Sequence, residues 1–147
     1  MASRDTTTGS NYEAIIEMCI KRSCEKNNLE ATSQTNVGIK PGGGKHRVDW
    51  EIIDKTNPSS RGLISCKFQG TPGTAEEKIA YEVIKLLHAM KLDSRYKKSW
   101  IIMGGEGWSP SMREFIKNHL GEWIPEMKGR VIVLTTDQLI NTNLSLV

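Results

Sequence analysis

The sequence of 147 residues has few cysteines and histidines, the residues that mark disulfide-rich and zinc-binding proteins. It has three cysteines, Cys19, Cys24 and Cys66, and this odd number favours small buried thiols in a reducing compartment over a disulfide framework. No C-x-x-C pair occurs and the three histidines are scattered, which disfavours a zinc site. We therefore expect an ordinary hydrophobic core.

Long apolar runs are also missing. No stretch of about 18 apolar residues could cross a membrane, and the polar residues 1–10 lack the apolar core of a secretory signal. We expect residues 1–10 to form a flexible N-terminal tail and residues 11–147 to form a single domain. The protein should be soluble and cytosolic.

Neither sign of charge is in large excess, because 20 basic and 17 acidic residues leave a net charge of +3. This balance permits a polyanionic partner without requiring one. Lys45 follows three glycines but precedes His46 and a strand, so the sequence lacks a phosphate-binding P-loop. A hydrolase with Ser65 as nucleophile remains a minor alternative, since no G-x-S-x-G motif occurs and no histidine is placed to activate that serine.

Hydrophobic periodicity predicts an α/β domain with the element order α-β-β-β-α-β-α-β. Apolar residues at helical spacing predict helices over 11–27, over about 75–91 and from Pro110 onward. In the third helix, the residues expected to face inward are Met112, Phe115, Ile116 and Leu120. Short apolar or alternating runs predict strands at 34–39, 48–53, 63–69, 100–103 and 131–134, with a helical turn near 136–140.

The strands at 48–53 and 63–69 are the most informative part of the sequence. Alternation predicts that Val48, Trp50 and Ile52 face one side of the sheet. The polar residues then share the other side: Asp49, Glu51, Ser65, Lys67 and Gln69. A hairpin with a solvated polar face would be the simpler explanation. However, acids and a lysine on neighbouring strands can also bind a divalent cation and position a water molecule.

Asp49 precedes Lys67 by 18 positions, and the lysine ends an apolar strand. This spacing resembles the PD-(D/E)xK nucleases, the restriction-endonuclease-like superfamily. Val48 replaces the proline of the motif, and Ser65 stands where the family has its second acid, two residues before the lysine. The run Lys67-Phe68-Gln69 and the later Gly73-Thr74-Ala75-Glu76-Glu77-Lys78 resemble a bacterial and phage branch of these nucleases.

The resemblance implies a restriction-endonuclease-like core, a mixed central sheet flanked by helices, and a Mg²⁺-dependent endonuclease in which Mn²⁺ can substitute. Asp49 and the main-chain carbonyl of Cys66 would bind the cation. Lys67 would orient or deprotonate the attacking water, and Gln69 would position water or phosphate. The second carboxylate stays open, with the first four of these candidates ranked about equally and the last just behind: Glu76, Glu77, Glu13, Glu17 and Glu51.

Several of these acids also have ordinary structural explanations. Glu17 lies four residues before Lys21, which is a common solvated pair on a helix. Glu76 and Glu77 fall in the predicted first turn of a helix, where the helix dipole favours acids. Geometry is needed to separate these explanations from a metal-binding role.

The basic, glycine-rich loop 41–47 is the main candidate for DNA contact, because glycines allow close approach while Lys45 and Arg47 can bind phosphates. A plain hairpin loop with solvated charges is the alternative. Lys78 and Ser65 are the other residues that we expect to face DNA. The expected partner is double-stranded or branched DNA, and cutting both strands would require a homodimer or a larger homo-oligomer.

The resemblance leaves three roles open. The first is a small type II restriction-like or homing-type endonuclease, and the second is a Holliday-junction-resolvase-like nuclease. The third is a catalytically inactive DNA-binding module of the same fold, because Ser65 replaces the usual acid. The family branch implies the cytoplasm of a bacterial, archaeal or phage-infected cell.

Overall fold

The computed structural model describes residues 2–69, 78–105 and 107–147, with side chains described from residue 11 onward. In these residues one sheet is formed, with the strand order β1-β2-β3-β4-β5. Pairing is antiparallel from β1 to β3 and parallel from β3 to β5. The strands are β1 (Leu29–Ile39), β2 (Lys45–Asp54), β3 (Arg61–Phe68), β4 (Tyr96–Gly104) and β5 (Val131–Thr135). The predicted mixed sheet is confirmed.

The helices are α1 (Ala2–Asn27), α2 (Lys78–Leu92), α3 (Pro110–Asn118), α4 (Leu120–Trp123) and α5 (Thr136–Ile140), with a 3-10 turn at Pro125–Met127. The predicted element order is confirmed, with α4 and the 3-10 turn added before β5. Helix α1 begins at Ala2, so the helix includes residues 2–10, for which we expected a flexible tail. Within the described residues, no helix is long and apolar enough to cross a membrane.

The sheet has an apolar cluster on each face. Helices α1 and α5 pack on one face, and α2 and α3 pack on the other. Strand β4 contributes to both, since Ile101 and Met103 join the α2 cluster while Trp100 and Ile102 join the α1 cluster. Burial on both faces is typical of a strand with parallel neighbours.

Helix α3 begins where we expected, because the Ser109 side chain accepts a hydrogen bond from the Met112 N–H and Pro110 occupies the first turn. Ile116 is buried, as predicted. Phe115 was predicted to face inward, but it is 38% exposed, so this prediction is wrong. The helix has only nine residues and contacts the rest of the domain on one side, with Ile116 as its buried residue.

At the pair Gln34 and Asp49 of the β1–β2 hairpin, the alternation of side chains between the two faces of the sheet is interrupted. These two residues lie opposite each other, between the paired positions Ser33 with Trp50 and Thr35 with Val48. Along each strand, the apolar residues at every second position pack in the cluster beneath α1 on one side of the pair. On the other side of the pair they pack in the cluster beneath α2, on the opposite face of the sheet. The first group is Leu29, Ala31, Trp50 and Ile52, and the second is Val37 and Val48. The prediction that Val48 shares a face with Trp50 is therefore wrong.

Candidate active site

Asp49 lies where β2 and β3 separate. The pairing of these strands runs from Ile53 with Arg61 to Trp50 with Ile64, and Asp49 is the next residue beyond it. The Oδ2 atom of Asp49 accepts a hydrogen bond of 2.7 Å from the Cys66 N–H. The carboxylate thus takes the place of a main-chain acceptor, and this charge-assisted bond fixes its orientation.

The electrostatic surroundings of Asp49 favour a nearby cation. Burial raises the pKa of Asp49, and the Cys66 N–H and the charge of Lys67 oppose this effect without cancelling it. The negative charge of Glu82 adds to the increase. A partly buried carboxyl group with a raised pKa is stabilised in its ionised form when another positive charge approaches.

Lys67 forms an ion pair with an acid that the sequence reasoning missed. Its Nζ lies 2.9 Å from Oε1 of Glu82, and the Nζ of Lys85 lies 3.0 Å from the same oxygen. Glu82 is only 3% exposed. Burial acts to raise the pKa of Glu82, but the hydrogen bonds and charges of the two lysines outweigh it, and the pKa lies below its ordinary value. Glu82 is therefore a buried, ionised carboxylate beside the motif lysine.

A signal for Glu82 was present in the sequence. The residue lies on the apolar stripe of α2, three positions after Ile79 and four before Leu86, and all three are buried. An acid on a buried helix face is rarely tolerated unless it is paired or functional. The sequence pattern therefore indicates that Glu82 is a paired or functional acid.

Helix α1 and the sheet enclose a cleft of about 340 Å³ beside Asp49. Glu13 and Glu17 line this cleft together with Asp49, Gln34 and Cys66. Both glutamates are exposed, and Glu17 lies 3.8 Å from the Lys21 ammonium, in the predicted solvated helix pair. Such an exposed pair is weak, so Glu17 remains available to a ligand. The structure thus brings both helix glutamates to the same cleft as Asp49.

A family model described as the PD-(D/E)XK nuclease superfamily domain matches residues 8–143. The chain belongs to this superfamily. No curated protein gives a significant match to the chain. The mixed sheet flanked by helices is the restriction-endonuclease-like fold of the PD-(D/E)XK superfamily, and the domain is a nuclease domain.

The structure does not bring Glu51 to this PD-(D/E)XK site. Its carboxylate accepts a 2.6 Å hydrogen bond from the Tyr96 hydroxyl and lies 3.6 Å from the Arg61 guanidinium. Glu51 is buried in this arrangement, and Tyr96 belongs to the α2 cluster. Because the hairpin exchanges its faces at Asp49, strand alternation beyond that residue directs Glu51 away from the cleft.

Gln69 makes hydrogen bonds to the turn that follows β4. Its side-chain Nε2 donates to the Gly107 carbonyl at 2.9 Å, and its main-chain carbonyl accepts from the Gly107 N–H at 2.7 Å. These bonds join the end of β3 to the turn after β4. Gln69 is buried. Its described contacts stabilise the main chain beside the site, and its role in positioning water or phosphate stays a prediction.

The carboxylates beside Asp49 are oxygen donors of the kind that hard divalent cations prefer. Within residues 2–69, 78–105 and 107–147, no three His, Cys, Asp or Glu side chains are grouped closely enough to hold a metal ion alone. Mg²⁺ is commonly bound by one or two carboxylates, with main-chain, water and phosphate oxygens completing its shell. Asp49 with one further acid meets that requirement. The predicted ligands Glu76 and Glu77 lie outside the described residues.

The predicted DNA contacts are divided between exposed and buried positions. Lys45 and Arg47 on β2 and Lys78 at the start of α2 are exposed. The loop before Lys45 is held against α2, because the Tyr81 hydroxyl donates a 3.0 Å hydrogen bond to the Pro41 carbonyl. Ser65, in contrast, is buried in the central strand β3. Its side chain therefore lacks the exposure that a contact with DNA requires.

Proposed function

We propose that this PD-(D/E)XK protein is a Mg²⁺-dependent DNA endonuclease that hydrolyses phosphodiester bonds with Asp49, Lys67 and Glu82. The observation that carries the proposal is the 2.9 Å ion pair between Lys67 and the buried Glu82. Ser65 leaves the motif without its second acid on β3, and Glu82 supplies a carboxylate to the same lysine from α2. The electrostatic influence of both residues on Asp49 supports a common site.

Asp49, Glu82 and the main-chain carbonyl of Cys66 would hold the divalent cation, with Mn²⁺ as a substitute. When bound, the cation supplies positive charge at the scissile phosphate and acidifies a water molecule. Asp49 is oriented for this task by the Cys66 N–H, which donates to Oδ2 at 2.7 Å. Glu13 and Glu17 line the same cleft and would add negative charge around the cation.

Lys67 would orient the attacking water and stabilise the charge that develops on the phosphate. An ammonium group has three N–H donors, and Glu82 accepts one of them, which leaves donors for water and phosphate. Lys85 supports this role, because its own 3.0 Å ion pair continues to neutralise Glu82 when Lys67 turns towards the substrate.

The exposed Lys45, Arg47 and Lys78 would contact DNA phosphates and so fix the duplex over the cleft. Double-stranded or branched DNA is the proposed partner. Cleavage of both strands would require a homodimer or a larger homo-oligomer, since each chain carries one such site. A type II restriction-like or homing-type role is our first choice, and a junction-resolving role is the second.

Incubation of supercoiled plasmid with the protein and Mg²⁺, Mn²⁺ or EDTA tests the proposal. We expect nicking or linearisation with either cation and none with EDTA. Asp49→Ala and Lys67→Ala should abolish cleavage while the circular dichroism spectrum stays unchanged. Asp137→Ala and Lys117→Ala remove an exposed acid and an exposed lysine elsewhere and serve as matched controls.

Each alternative has a distinct result. DNA binding without cleavage at any divalent ion would replace the endonuclease with an inactive DNA-binding module. Faster cleavage of a four-way junction than of the matching duplex would favour the resolvase role. Discrete fragments from a long duplex would favour the restriction-like or homing-type role. Equal cleavage by the parent, Asp49→Ala and Lys67→Ala would refute the assigned residues.

A further inference from the structure

Gln34 has an uncommon main-chain conformation directly opposite Asp49. Its φ angle is 52°, in the left-handed region, which residues other than glycine, asparagine and aspartate seldom adopt. The neighbouring pairs Ser33 with Trp50 and Thr35 with Val48 keep a continuous register, so no register shift accompanies this conformation; the register shift of the hairpin lies further along, between Asn36 and Ile39. Strain of this kind persists where the surrounding structure maintains it, often at functional sites.

The position of β1 in the sheet does not account for this strain. In the sheet formed by the described residues, β1 is an edge strand whose neighbour is β2. Gln34 is exposed, so packing in the core does not impose its conformation either. Gln34 does, however, lie next to the site. Gln34 and Asp49 lie opposite each other and both line the cleft between α1 and the sheet. Burial raises the pKa of the Asp49 carboxyl, and the Gln34 side chain acts to lower it.

We propose that Gln34 is a positioning residue, whose left-handed main chain turns its side-chain amide onto the Asp49 carboxylate. Asp49 would then be held by the Gln34 amide from β1 together with the Cys66 N–H from β3, which donates to Oδ2 at 2.7 Å. This inference rests on the proposed nuclease function. A carboxylate held from two strands keeps one orientation before the cation arrives, which lowers the cost of assembling the site.

The hairpin geometry explains why a residue of this kind is needed here. At Gln34 and Asp49 the regular alternation of side chains between the two faces of the sheet is interrupted. Strand geometry alone therefore does not fix which face either side chain occupies. The amide of Gln34 supplies the missing constraint on β2. Loss of the amide should therefore release the carboxylate, while the fold and the DNA-contacting hairpin remain in place.

Replacement of Gln34 by glycine separates the amide from the main-chain strain, because glycine adopts the left-handed conformation without cost. Asn28→Gly is the matched control, since Asn28 has a φ of 56° at the end of α1 and does not line the cleft. We expect both variants to keep the parent Tm or to exceed it by a few degrees, about 3 °C.

We expect only Gln34→Gly to affect the site. Its kcat on plasmid should fall about tenfold, and its affinity for Mn²⁺, measured by calorimetry without DNA, should fall by a similar factor. Its KM for DNA should stay close to that of the parent. Gln34→Ala also lacks the amide but retains the left-handed strain, so we expect a lower Tm than that of Gln34→Gly together with the same loss of kcat.

Several outcomes would overturn the inference. One is a Gln34→Gly variant with the kcat and Mn²⁺ affinity of the parent. Another is a kcat loss in Gln34→Ala alone, because strain and stability would then explain the effect. An active parent with an unaffected Gln34→Gly would refute this inference and leave the nuclease function intact. A parent that neither cleaves DNA nor binds Mn²⁺ would refute both.

Discussion

Replacement of Glu82 by glutamine tests the proposal that Glu82 supplies the carboxylate that the motif lacks at Ser65. The substitution removes one negative charge but keeps the size of the side chain and an oxygen that can accept hydrogen bonds. In the parent, the Oε1 atom of Glu82 lies 2.9 Å from the Nζ of Lys67 and 3.0 Å from the Nζ of Lys85. We expect Glu82→Gln to lower both the free energy of unfolding and the rate of cleavage.

Removal of one partner from a fully buried ion pair costs about 3–5 kcal/mol. In this cluster the lysine side chains are 28% and 18% exposed, so water solvates part of their charge. The glutamine oxygen also keeps a hydrogen bond, and we therefore expect a loss of about 1–3 kcal/mol in the free energy of unfolding. For a domain of this size, that loss lowers Tm by roughly 3–10 °C.

The loss of stability should depend on pH. Because the pKa of Glu82 in the folded protein lies below its ordinary value of 4.5, ionisation of Glu82 stabilises the fold above that pH. The stabilisation is lost as the pH falls through the lowered pKa. Urea unfolding in EDTA should therefore show the full difference between parent and Glu82→Gln near neutral pH, and a shrinking difference as the pH is lowered below 4.5.

Plasmid cleavage with Mg²⁺ measures the second effect. We expect kcat to fall about 100-fold, because Glu82→Gln removes the charge of the proposed cation ligand and releases Lys67. Glu51→Gln is the matched control, since Glu51 is also a buried acid but contacts Tyr96 and Arg61. We expect Glu51→Gln to lose stability and keep its kcat. Parent-like cleavage by Glu82→Gln, with loss of cleavage on substitution of Glu13 or Glu17, would refute the assignment and transfer the role to α1.

Three further substitutions have definite expected outcomes. Ser65→Glu should lower Tm without increasing cleavage, because Ser65 is buried and another acid already contacts the motif lysine; a gain in kcat would contradict this. Lys45→Ala and Arg47→Ala should each weaken DNA binding at all sequences and reduce the salt dependence by about one ion, measured by fluorescence anisotropy; an unchanged slope would exclude a phosphate contact. Gly105→Ala should cost at least about 2 kcal/mol in urea unfolding, because φ is +89° and a Cβ atom would meet the Gln69 carbonyl; a smaller loss would show that the turn can move.

Local patterns were sufficient to predict the framework of the fold. Helical spacing in residues 11–27 and the apolar runs of β4 and β5 predicted their elements, because side-chain periodicity depends on neighbours in sequence. The spacing of Asp49 and Lys67 was also visible, since the two residues lie on consecutive strands that are close in sequence. The family that this spacing suggested is the one whose model matches the chain.

The prediction was wrong or incomplete where distant segments determine the outcome. The prediction assumed that side chains alternate regularly along β2. The alternation is interrupted at Asp49, so Glu51 lies on the face of the sheet away from the cleft. The predicted ligands did not include Glu82, because it lies on α2, well beyond the end of β3 in sequence. The contact of Glu82 with Lys67 depends on how α2 packs against the sheet, which sequence distance does not determine.

The hydrogen bond from Cys66 to Asp49 gives this protein a built-in spectroscopic reporter. Because a main-chain amide donates directly to the carboxylate, its ¹⁵N and ¹H chemical shifts respond to the charge on that group. One resonance of an isotopically labelled sample would then register protonation, cation binding and side-chain rotation at Asp49. Titrations could follow the occupancy of the site in solution without any substrate turnover.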